Sequence, residues 1–102
     1  MSFIFAYITN SDKKIAKKIA MNLLKKRIVA CANMFPIDSI YWWKNKIEES
    51  KEYVLIVKTK KEMWRKLKAE VEKTHPYDTP CITKINVEAN KEYEEWLRSL
   101  IR

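Results

Sequence analysis

The 102-residue sequence has no glycine, one histidine, two cysteines and three prolines. Without glycine there is no Gly-rich phosphate loop and no GxSxG nucleophile turn, because both need backbone that a side chain would obstruct. Nor is there a flexible loop to close around a nucleotide. One histidine excludes an HExxH metal helix. Cys31 and Cys81 are far apart and form no CxxC. No apolar run approaches the ~18 to 20 residues of a membrane span. Positions 1–8 lack the basic lead and cleavage site of a signal peptide, so a cytoplasmic location is expected. In a reducing compartment the two cysteines read as small buried hydrophobes, with ligand or redox roles as the alternative.

What is present is apolar enough to fold: 47% of the residues are hydrophobic. The length suits one domain with a modest core, spanning positions 1–102. The formal charge is +8. That permits nucleic-acid or anionic-surface binding. The same wealth of Lys, Glu and Ile with no glycine also suits a heat-adapted surface rich in ion pairs.

Positions 3–9 are apolar on both alternating sets, which predicts a central strand covered on two sides. Asn10, Ser11 or Asp12 can cap a helix over 12–26. Its apolar stripe is Ile15, Ala16, Ile19, Ala20, Leu23 and Leu24. Lys13, Lys14, Lys17 and Lys18 fall largely on the other side and read as a solvated face, since no aromatic residue is interleaved with them. A second strand over 28–34 is expected to be interrupted at Pro36. Strand pattern resumes over 37–43 and runs back over 47–59. A helix over 61–73, a stiff loop carrying Pro76 and Pro80, a strand over 81–87 and a helix over 91–101 complete the chain. The order predicts an α+β fold: a ferredoxin-like βαββαβ sandwich with a long β-hairpin and an extra C-terminal helix.

The hairpin is too long for its own domain. Counted from Ile28 to Lys60, each arm has roughly a dozen residues, or about 40 Å. A domain of this size has a radius of gyration of only about 13 Å. The turn falls at 44–46, with Asn45 the residue best suited to a left-handed backbone. Trp42 and Trp43 are adjacent, so they point to opposite faces. An overhanging arm with a large ring on each face calls for cover from another chain. Tyr41, Trp42 and Trp43 are therefore expected at an oligomer interface.

Three segments occur in order: A-C-A-N at 30–33, S-I-Y-W-W-K-N-K-I-E-E at 39–49 and H-P-Y-D-T-P at 75–80. Together they resemble the CutA family of divalent-cation tolerance proteins, over essentially the whole chain. The resemblance implies a cytosolic homotrimer similar to the PII signalling proteins, with hairpins reaching across subunit boundaries, linked to tolerance of copper and other divalent metals. Lys44 and Asn45 stand where the family commonly has an acidic residue and glycine. Cys81 stands where it usually has Glu or a small residue, a soft donor in place of a carboxylate.

The donors for copper or zinc are His75, Cys31, Asp78 and Cys81. None share a short ligand spacing, so a site must be assembled in space, with Cys31 of one subunit approaching Cys81 or His75 of the next. The alternative for His75 is a loop histidine bonded to backbone just after a helix. Tyr77 and Asp78 can equally serve to fix the loop between the prolines. Lys58 is either a solvated strand-end lysine or lines a cleft with His75. There, an alternative PII-like regulatory or scaffold trimer would bind a small anionic ligand or a protein partner. No catalytic constellation is visible, and an enzyme is not expected. Nucleic-acid binding is disfavoured because 51–58, K-E-Y-V-L-I-V-K, lacks the stacking aromatics of an RRM strand.

Overall fold

The computed structural model describes residues 3–101. Four strands form one antiparallel sheet in the order β2-β3-β1-β4. They are β1 (Phe3–Asn10), β2 (Cys31–Trp43), β3 (Lys46–Lys60) and β4 (Ile82–Val87). Helix α1 (Lys13–Lys25) joins β1 to β2. A short 3-10 turn, Lys61–Met63, leads into α2 (Trp64–Thr74), and α3 (Lys91–Ser99) ends the chain. The expected βαββαβ order and terminal helix are all present.

The doubly apolar pattern of positions 3–9 is explained by where β1 lies. It pairs with β3 on one side and β4 on the other. Ala6 and Ile8 face α1 and α2, and bury against Ala16, Ile19, Leu23, Leu67 and Val71. The alternate residues, Phe3, Phe5 and Tyr7, face the opposite side. There α3 covers one end, with the Tyr93 ring 6.2 Å from Phe3. Asp12 is the cap of α1: its Oδ1 accepts the Ile15 N–H at 2.9 Å.

One expectation is corrected. Pro36 does not interrupt its strand; β2 is continuous through it, with Pro36 opposite Tyr53. The Tyr53 carbonyl faces β1, where it accepts from Asn10 Nδ2 at 3.2 Å. Its partner Pro36 therefore turns its nitrogen to the free edge of the sheet, where no ladder bond is required.

The hairpin overhangs as expected. β1 ends opposite Tyr53, so positions 46–52 of β3 pair only with positions 37–43 of β2. That two-stranded ribbon projects roughly 20 Å at ~3.3 Å per residue. It accounts for the long axis of a molecule measuring 45 × 24 × 21 Å. Its turn is the two residues Lys44 and Asn45, at φ 49° and 62°. Both are left-handed, the backbone signature of a type I′ hairpin turn, whose twist matches the strands.

Candidate functional site

Two surfaces gather the residues of interest: the hairpin ribbon with the loop beside it, and the sheet face under α3. On the ribbon, side chains alternate. Ile40, Trp42 and Ile47 share one face and are 69%, 73% and 63% exposed. Tyr41 and Trp43 share the other, with Trp43 58% exposed. A lone two-stranded ribbon is marginal in water, and here each of its faces carries large apolar side chains left uncovered.

Between the ribbon and the 75–80 loop lies an open groove of about 1270 Å³, whose lining includes Tyr41, Trp43, Glu52, Tyr77, Asp78 and Cys81. The loop is held to the sheet by His75. β1 runs past its last rung with β4, which pairs Ile8 with Ile82. The Thr9 carbonyl beyond that rung takes its hydrogen bond from His75 Nε2 at 2.9 Å. Nδ1 accepts the Tyr77 N–H at 3.1 Å. The imidazole is thus the Nε2–H tautomer, 7% exposed, with both nitrogens engaged. To hold a metal it would have to release one of these bonds. The backbone-bonded alternative for His75 describes this geometry. Tyr77 in turn donates its hydroxyl to Glu52 at 3.2 Å. Burial, then the Glu52 carboxylate, push that phenol above its usual range. Glu52 is a loop-fixing residue that sequence reasoning missed, because the contact joins the ribbon to a loop far along the chain.

Asp78 and Cys81 are exposed beside the groove. Cys81 Sγ lies 3.6 Å from the Thr83 hydroxyl. Cys31 opens β2 at the other edge of the sheet, so the two thiols are not brought together. Among the described residues no three His, Cys, Asp or Glu side chains converge to hold a metal ion. The proposed donors do not fit a metal centre within one chain.

Lys58 does not share a cleft with His75. It lies opposite Phe5, whereas His75 reaches Thr9. Four positions along β1 separate them by roughly 13 Å. Nor is Lys58 a freely solvated lysine. Its Nζ donates to Tyr93 Oη at 3.3 Å and lies over the Phe5 and Tyr93 rings at 5.3 and 5.4 Å. Cys31 Sγ reaches the same hydroxyl at 3.6 Å. Burial and then the thiol raise the Tyr93 phenol above its usual range, and Lys58 opposes them. Tyr93 appears in the sequence only as one apolar position of a helix, and nothing in its spacing signals these partners.

No helix among the described residues is long and apolar enough to cross a membrane. A family model described as CutA1 divalent ion tolerance protein matches residues 4–100. The divalent-cation tolerance protein CutA of Pyrococcus horikoshii is 43% identical over 95 residues, covering 92% of this chain and 93% of that one. The solved structure of the periplasmic divalent cation tolerance protein CutA from Archaeoglobus fulgidus matches with a TM-score of 0.94 at 40% identity, covering 98% of this chain and 99% of that chain. CutA1 from Oryza sativa matches with a TM-score of 0.95 at 32% identity, over 100% of this chain and 95% of that chain. Fold and sequence agree nearly end to end, and the chain belongs to the CutA1 family of divalent ion tolerance proteins.

Proposed function

We propose that this protein serves divalent-cation tolerance as a cytoplasmic homotrimer that meets copper or zinc ions with donors from adjacent copies. The observation that carries the assembly is the ribbon, with Ile40, Trp42, Trp43 and Ile47 uncovered at its tip. A second copy of the same chain is the simplest cover. The sheet has two unlike free edges, β2 and β4, which favours a head-to-tail contact closing into a ring. The number three follows the CutA resemblance.

Such a ring also answers the scattered donors. Cys31 lies on the β2 edge, while Cys81 and Asp78 lie at the start of β4 and in the loop before it. Joining unlike edges brings Cys31 of one copy toward Cys81 and Asp78 of the next. Thiolates suit copper or zinc, and a carboxylate completes a mixed site. His75 joins only by giving up a loop bond, so it ranks behind these three. Both cysteines are free thiols, as a reducing cytoplasm would keep them.

The test is metal analysis and titration of the purified protein, with its mass followed by light scattering. Copper or zinc bound in the wild type should be lost in Cys31→Ser and Cys81→Ser while the mass stays unchanged. No binding tighter than a Kd of ~0.1 mM, about −5.5 kcal/mol of binding free energy, would overturn the metal reading. A monomeric mass would overturn the assembly.

A further inference from the structure

Cys31 and Lys58 are direct cross-strand partners on β2 and β3. Such partners project to the same face with Cβ atoms about 4.5–5.5 Å apart. Both side chains end at one atom, the Tyr93 hydroxyl, 3.6 Å from Sγ and 3.3 Å from Nζ. The Phe5 and Tyr93 rings hold the lysine head over the sheet, so it stays near its own rung. Among the described residues Lys58 forms no ion pair with any carboxylate. Cys31 is a free thiol, and Cys81 lies at the far edge of the sheet. Within the chain, the group placed to capture an oxidised Cys31 is therefore the Lys58 amine.

We propose that Cys31 and Lys58 form an oxidative cross-link, an S–O–N bridge in which one oxygen atom joins Sγ to Nζ. The oxidant is dioxygen. The S–H bond, one N–H bond and the O–O bond break; an S–O and an O–N bond form. Sulfur and nitrogen each give up two electrons. Dioxygen takes all four, leaving one oxygen in the bridge and the other as water with the two released hydrogens. Excess dithiol reverses the step, returning thiol, amine and water. Tyr93 is a positioning residue: its hydroxyl gathers both reactants without entering the bridge. The product pins the first residue of edge strand β2 to β3 and takes the thiol out of use. Without a capturing amine, a sulfenic acid that oxidant can reach goes on to sulfinic acid.

The experiment oxidises the protein in air-saturated buffer. A Cys81→Ser background removes intermolecular disulfides. Intact mass and tryptic mapping should show peptides joined through Cys31 and Lys58, heavier by one oxygen and lighter by two hydrogens. Dithiothreitol should separate them. Lys58→Arg keeps the charge and, once its fold is verified by circular dichroism, should lose the linked pair while Cys31 advances to sulfinic acid. Tyr93→Phe should lower the linked yield several-fold without altering which residues are joined. Three results would each overturn the proposal: Cys31 oxidised in the lysine-containing protein with no linked pair, equal linkage to another lysine, or Cys31 left unoxidised.

Discussion

Trp42→Ala is the most informative perturbation of the ribbon. The ring is 73% exposed in the single chain, so truncating it removes little that holds that chain together. An aromatic side chain buries roughly 150–250 Å² when covered, so the uncovered share is roughly 110–180 Å². At about 25 cal/mol per Å², covering it contributes roughly 3–4.5 kcal/mol per copy. The substitution acts once in every subunit, so a ring of three loses roughly three times that amount. Light scattering across a dilution series should show the variant dissociating at concentrations where the wild type holds together. Circular dichroism should show the same helix and strand content in both. An unchanged mass down to the lowest concentration would refute the reasoning. So would a variant that unfolds before it dissociates, because Trp42 would then be supporting its own chain.

Three further outcomes follow from local geometry. Asn45 sits at φ 62°, so Asn45→Ala should destabilise by about 1 kcal/mol and Asn45→Gly should be neutral or better, as read by thermal melts. His75→Ala leaves the Thr9 carbonyl and the Tyr77 N–H without their partner; it should cost about 2–4 kcal/mol in denaturant unfolding, with metal content unchanged. The Lys26 ammonium 2.8 Å away, then the Asn22 amide, hold the Glu70 carboxyl below its usual range. The folded state thus favours the ionised form, and this stability is complete above the unfolded pKa and lost as pH falls through the folded one. Glu70→Gln should therefore cost below about 1 kcal/mol at neutral pH, with the difference from wild type shrinking as acidification protonates the Glu70 carboxyl below its usual range.

Most of the architecture was legible because hydrophobic period reports burial directly. The stripe Ile15 to Leu24 gave α1 within a residue at each end. The two apolar sets of positions 3–9 called for cover on both sides; α1 and α2 supply it on one, and α3 covers one end of the other, where Phe5 and Tyr7 are half-buried. The overhang followed from arm length against domain size. Pro36 was misread because a strand's pattern does not say which way each nitrogen points; only the β2-β3 register does. The start of α2 was blurred by the 3-10 turn at Lys61–Met63, which continues the apolar pattern with a tighter backbone. The sites were less legible than the elements. His75 was recognised as meaningful, yet its partner Thr9 depends on where β4 begins. The meeting of Cys31, Lys58 and Tyr93 depends on α3 crossing the sheet face opposite α1 and α2, and no spacing along the chain encodes it.

The central claim is that the ribbon fastens copies of this chain to one another. Its most direct test is the absolute mass of the unmodified protein in dilute solution, by light scattering behind size-exclusion chromatography. The account predicts three times the 12.3 kDa chain mass, stable on dilution and independent of added metal. A stable particle of 12.3 kDa, with Trp42 and Trp43 open to solvent, would contradict it.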